Sequence, residues 1–169
     1  GQNKGVDSLI SWVKEAGGIV NDALTYEHSP AFGFGLCTDQ AVADGEGLVL
    51  LPEACTLRVD DGRTIEELQK IVLDDTVIPQ ELWGLRLGLR LLHERSLGRQ
   101  SQWARYVALL PDAFEVPMFF APDEVAALQY PPISAQVAKR GRFLQSFCTG
   151  HDLGGDGGRK LFNGLAVDM

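Results

Sequence analysis

The hydrophobic period of this chain switches from β-favouring to helical near Thr64, and that change limits what it can fold into. Before it, apolar residues come in brief β-favouring runs: Ile19-Val20, Ala23 to Tyr26, Gly33 to Thr38, Gly47 to Leu51 and Cys55 to Val59. Asn-Asp, Ser-Pro, Asp-Gly-Glu-Gly and Pro-Glu turn signals separate them, which predicts four or five short strands in small twisted sheets. A short helix precedes the strands, because Asp7-Ser8 lead into a one-sided apolar stripe through Leu9, Ile10, Trp12 and Val13. Gly17-Gly18 are placed to end it.

From Thr64 onward the spacing is helical. Thr64-Ile-Glu-Glu67 has the form of a capping box. Pro79-Gln-Glu opens a longer helix with Leu82, Leu85, Leu89 and Leu92 at helical spacing, and Arg86 and Arg90 are expected elsewhere on its surface. Gly84 and Gly88 lie one turn apart inside it, each costing about 1 kcal/mol against Ala, which predicts close approach of a neighbouring element. Gly98 is a stop signal. Further helices are expected over residues 103–110, 122–128 and 133–147. After Cys148 the composition shifts: six of the last 22 residues are glycine, which reads as a flexible loop, with Leu165 to Met169 beginning a new element. The fold class is therefore α+β, divided into residues 1–63 (N-terminal helix and β-rich part), 64–147 (helical insert) and 148–169 (glycine-rich loop and the start of a further part).

At 169 residues and 45% hydrophobic content, the chain can build a real core. A net charge of −8 argues against a nucleic-acid-binding surface, which needs clustered Lys and Arg. No apolar run approaches the roughly 18–20 residues that cross a bilayer, and no secretory signal pattern is present. Neither a nucleic acid nor a membrane is expected as a partner. Cys37, Cys55 and Cys148 are too few and too scattered for a disulfide framework, and none forms a CxxC pair, so no metal site is expected. Gly1 in place of Met implies processing or trimming of the N-terminus, for example by removal of a transit peptide.

The residues with chemical potential are few. Gly33-Phe34-Gly35 is a GxG, but the dinucleotide fingerprint needs a third glycine and an immediate helix, and Leu36-Cys-Thr-Asp-Gln reads as extended. A GxG between strands is, by itself, more often a turn or bulge. His28 sits in a Ser-Pro turn, His93 on the long helix and His151 next to Asp152 in the glycine-rich loop, where the pair reads as solvated because adjacent side chains rarely face one another. No Ser/His/Asp arrangement has supporting context, and no catalytic residue is assigned.

The order of Gly33-Phe34-Gly35, Gly47-Leu-Val-Leu-Leu-Pro52, Trp103…Tyr106…Leu109-Leu-Pro111, Phe119-Phe120 and Leu128-Gln-Tyr130 resembles the SET-domain protein methyltransferases. More specifically, it resembles the class of the Rubisco large-subunit lysine methyltransferases. The resemblance covers roughly Val6 to Phe147 and implies the front half of a SET domain with a helical insert. It implies S-adenosyl-L-methionine as cofactor, with Phe32, Gly33, Phe34 and Gly35 as the strand that contacts it through backbone. Phe32 departs from the acidic or small residue that close relatives often carry there, and Tyr130-Pro-Pro departs from a Gly-Thr step. Either Phe32 or Phe34 could offer a ring to the sulfonium or adenine, with core burial as the alternative. Trp103 and Tyr106 read as core.

What the resemblance implies about activity is a protein-lysine N-methyltransferase, in a class that also includes histidine methylation of actin. The partner would be a protein carrying a lysine, or a histidine, acceptor, and chloroplast is the implied compartment, with cytosol or nucleus as alternatives. The later Asn-His segment and Tyr of that class are not found here, and Asn163-Gly164 is not such a pair. The chain is therefore expected to be a fragment without methyl transfer of its own. A non-catalytic SET-like interaction module is the competing reading, and an unrelated α+β domain is a third.

Overall fold

A computed structural model describes residues 4–60, 64–112 and 114–162. Seven helices and four short strands occur among them: α1 Lys4–Glu15, β1 Ile19–Val20, β2 Leu24–Ser29, β3 Gly33–Thr38, β4 Val49–Leu50, α2 Glu66–Val72, α3 Trp83–Leu97, α4 Ala104–Val107, α5 Pro122–Ala127, α6 Pro131–Gly150 and α7 Asp156–Leu161. The architecture is mixed and mostly helical, with two antiparallel two-stranded sheets, β1–β4 and β2–β3. Residues 55–59, expected as a strand, form none: Cys55 ends a short 3-10 turn at Glu53–Cys55, and residues 56–59 follow it as bend, coil and turn. Among the described residues, no helix is long and apolar enough to cross a membrane.

The chain forms two compact units. One comprises Gly1–Arg58 with Arg105–Leu109. In it, α1 ends at Gly17, whose φ of +87° is the left-handed conformation that glycine adopts without strain. Gly18 is needed for a different reason. A Cβ there would lie 2.7 Å from the Leu50 carbonyl oxygen and 2.8 Å from Pro52 Cδ, so β4 can approach the end of α1 only because this residue has no side chain. β1 pairs with β4 through Ile19↔Leu50 and Val20↔Val49. The turn before β4 is held by Glu46, which accepts from the Ala43 N–H at 3.0 Å and from Asn21 Nδ2 at 2.8 Å; these donors, Ala43 foremost, lower its carboxyl pKa. Tyr26 Oη donates to Asp7 at 3.2 Å, and Arg105 reaches the Glu15 carboxylate at 3.1 Å.

The other unit comprises Val59–Ala104 and Leu110–Met169. Its core gathers Leu68 and Val72 from α2, Ile78, Leu89 from α3, Phe147 from α6, and Leu153, Leu161 and Phe162 around α7. The expected capping box does not form. α2 begins at Glu66 after Ile65, and Thr64 is buried one residue too early to cap it. Arg86 and Arg90, expected on the surface of α3, are buried instead. Arg86 donates to the Ile78 carbonyl and pairs with Asp75 at 2.6 Å. Arg90 is fully buried, pairs with Glu94 at 2.7 Å and lies over the Trp103 ring at 5.4 Å. Glu94 also accepts from Ser101 Oγ at 2.6 Å, which in turn accepts from the Trp103 N–H at 3.0 Å. A buried charge needs an opposite charge beside it, which Glu94 supplies. Trp103 is core as expected, but Tyr106 is exposed.

Gly84 and Gly88 have no close neighbour, contrary to the approach expected of them. The glycine-rich stretch after Cys148 is not a simple loop. α6 runs on to Gly150, and α7 starts where Asp152 Oδ2 accepts from Gly157 N–H at 2.8 Å. Buried Gly158 lies against the Leu153 backbone, where any Cβ would collide, so the glycines allow packing rather than flexibility. His93 Nδ1 meets the Leu161 carbonyl oxygen at 2.8 Å, tying α7 to α3. Residues 163–169, on which Asn163-Gly164 and the expected new element fall, lie outside the described residues.

Candidate functional site

The β2–β3 hairpin collects every site residue expected from the sequence. Its register pairs Thr25↔Cys37, Tyr26↔Leu36, Glu27↔Gly35, His28↔Phe34 and Ser29↔Gly33. Side chains alternate along a strand and directly paired residues share a face. One face therefore carries Tyr26, His28, Phe34 and Leu36. The opposite face carries Thr25, Glu27, Ser29 and Cys37 with the bare backbones of Gly33 and Gly35.

Residues 30–32 form the connecting turn, and Gly33 closes it at φ +72°. A hairpin with three loop residues commonly ends on a left-handed residue, which makes glycine the natural choice there. Ser29 Oγ accepts from the Ala31 N–H at 3.3 Å and steadies the turn. The bland reading of the GxG thus holds for Gly33.

It does not hold for Gly35. That residue sits inside β3, outside the left-handed region, and a Cβ built on it meets no atom within 4 Å. Neither backbone conformation nor crowding requires glycine here, while glycine in a strand interior weakens the strand. What its absent side chain leaves is an open strip of extended backbone beside an open cavity of about 280 Å³. Residues of both faces line it, Glu27, Gly33 and Gly35 from one and His28, Phe34 and Leu36 from the other, with Phe32 at the turn.

Both aromatic residues of the motif are exposed, Phe32 at 91% and Phe34 at 58%, so neither belongs to the core of this structure. Phe34 packs edge-on to His28 with ring centroids 4.8 Å apart, on the face away from the glycines. Phe32 stands at the turn, free to lie against a ligand. His28 belongs to β2 rather than to the turn. Thr25 Oγ1 lies 3.1 Å from Cys37 Sγ. Glu27 is the residue that composition and motif did not bring forward; only the strand register, which places it opposite Gly35, reveals it. The open glycine face, the exposed ring and the carboxylate fit a flat, cationic ligand held partly through backbone groups.

The helical unit has a larger groove of about 760 Å³, lined by residues such as Leu85, Leu89, Leu92, Phe119, Leu144 and Gln145. It offers apolar shape but no charged side chain. His151 packs on Phe147 at 4.6 Å, and Asp152 caps α7, so this pair has a structural role. Among the described residues, no cluster of three His, Cys, Asp or Glu could hold a metal ion.

The chain is distantly similar to SET-domain protein methyltransferases of the Rubisco-methyltransferase-like class. The relatives that carry this similarity are actin-histidine N-methyltransferases. That of Xenopus tropicalis is 28% identical over 121 residues, covering 72% of this chain and 20% of the relative. The Homo sapiens protein is 26% identical over 121 residues with the same shares. That of Rhinolophus ferrumequinum is 26% identical over 123 residues. The chain thus spans about a fifth of the length of the curated relatives it matches. No protein-family profile matches it.

Proposed function

We propose that this chain supplies the first cofactor-contacting strand of an S-adenosylmethionine-dependent protein N-methyltransferase of SET type. The observation that carries the reading is Gly35, a glycine in mid-strand that neither backbone conformation nor packing calls for, bordering an open face. Bound S-adenosylmethionine supplies a transferable methyl on a cationic sulfur. The part of this chain is to hold the cofactor: backbone N–H and C=O groups of residues 33–35 on one side, and the Phe32 ring as an apolar wall for stacking. The acceptor is a nitrogen on a protein side chain. The name of the relatives favours a histidine imidazole, and the class resemblance read from the motifs favours a lysine amine.

The reading is tested by titrating the isotopically labelled chain with S-adenosylmethionine and following backbone amide resonances. The expected result is saturable shifts concentrated at residues 32–37, with ATP giving none. ATP shares the adenosine but replaces the cationic amino-acid arm with phosphates. Shifts confined to other segments, or none at millimolar ligand, would overturn the cofactor assignment.

A further inference from the structure

Glu27 is the charged side chain best placed for this ligand. Its Cα partner across the ladder is Gly35, and a directly opposed pair brings side chains to within about 4.5–5.5 Å at Cβ. Gly35 has no side chain, so the space opposite Glu27 is empty: no atom lies within 4 Å of where a Cβ would stand. Glu27 is exposed, lines the same cavity as Gly33 and Gly35, and makes no ion pair among the described residues. The other polar groups on its face, Thr25, Ser29 and Cys37, carry no compensating positive charge; the cavity lining includes His28 from the opposite face but no Lys or Arg.

We infer that Glu27 is a specificity-determining residue of this site, holding a cationic group of the ligand and orienting its amino-acid arm along the glycine face. The inference rests on the cofactor reading and adds a direction to it. A carboxylate beside the open strip favours a ligand with positive charge at that end and disfavours phosphates, by the same Coulomb term with opposite sign. S-adenosylmethionine offers two such cations, the sulfonium and the ammonium, and both lie on the arm away from the adenine. With the arm near Glu27, the adenine is directed toward the turn, where the exposed Phe32 ring stands.

The test compares three ligands on the wild-type chain and on Glu27→Gln: S-adenosylmethionine, with both cations; S-adenosylhomocysteine, with the ammonium alone; and 5′-methylthioadenosine, with neither. Affinities come from amide shifts of residues 32–37 at low ionic strength. Glu27→Gln keeps size and polarity and removes only the charge, so the expected loss is about two- to fivefold, the weight of one solvent-exposed charge pair. A loss for S-adenosylmethionine alone assigns Glu27 to the sulfonium. Equal losses for the first two, with methylthioadenosine unchanged, assign it to the ammonium. In either case the loss should shrink at 0.5 M salt. Wild-type binding with no change in Glu27→Gln, or an equal loss for all three ligands, overturns the inference and leaves the cofactor reading standing. Absence of binding to the wild type removes that reading itself, so the two failures are distinct.

Discussion

Replacing Gly35 with valine should make the hairpin more stable and the cofactor site worse, and that opposition separates a functional glycine from a structural one. The stabilising side follows from geometry. Gly35 is extended, a new Cβ would meet nothing within 4 Å, and valine suits a strand where glycine does not. The gain should be up to about 1 kcal/mol, the span of strand preferences measured in folded hosts. The functional side follows from the same open space. A branched side chain would occupy the strip where the ligand meets the backbone, and at least a tenfold loss of affinity, about 1.4 kcal/mol, is expected. Native-state hydrogen exchange of the β2–β3 amides reads the local stability without interference from the helical unit. The amide titration with S-adenosylmethionine reads the site. Gly33→Val is the contrasting control: at φ +72° valine is strained by about 1–3 kcal/mol, so lost binding there would say nothing about ligand contact. If Gly35→Val lowered hairpin protection by more than 1 kcal/mol, the glycine would be needed for the fold. If it raised protection and left binding intact, the open face would not be the site.

Other consequences are as direct. Removing one member of the buried Arg90–Glu94 pair, by Arg90→Met or Glu94→Leu, should cost about 3–5 kcal/mol in urea unfolding, whereas the double variant should fall near the wild type. A double variant worse than either single one would refute this. Gly18→Ala should destabilise by about 1–3 kcal/mol, since its methyl would be forced against the Leu50 carbonyl; an unchanged urea midpoint would count against the packing of β4 on α1. The Arg86 guanidinium, with Gln80 also donating, lowers the Asp75 pKa below the usual aspartate range. Because the folded value is the depressed one, the stabilisation is present at neutral pH and is lost as pH falls through that value. Carboxyl NMR titration should show a low midpoint that rises toward normal in Arg86→Gln, and an unmoved midpoint would refute the pairing.

The parts of the fold legible in the sequence are those set by local chemistry. The one-sided stripe of Leu9, Ile10 and Val13 located α1, and the β-favouring run from Gly33 to Thr38 located β3 to the residue. Pro122 followed by Glu124 marked α5, where Glu124 accepts from the Ala121 N–H at 2.8 Å. What stayed hidden depends on partners distant in sequence. Helical spacing in α3 picks out leucines as the buried stripe, and no periodicity shows that Arg90 will find Glu94, Trp103 and an enclosed place among them. The composition after Cys148 suggests looseness, while three of its glycines in fact admit the Asp152–Leu153 backbone and side chains at close range. At the site, residues 32–35 could be named from a motif, but Glu27 becomes visible only through the register that sets it opposite Gly35.

Each of the two sheets has two strands among the described residues, so every strand in it is an edge. An edge carries unpaired peptide groups that will accept another extended chain. Here those edges bear exposed apolar side chains, Phe34, Leu36 at 68% and Leu50 among them. The glycine-bearing strand is therefore also where concentrated samples should begin to self-associate. Leu36→Lys would discourage such pairing, but Leu36 also borders the cavity, so the same change would set a positive charge beside the cofactor site.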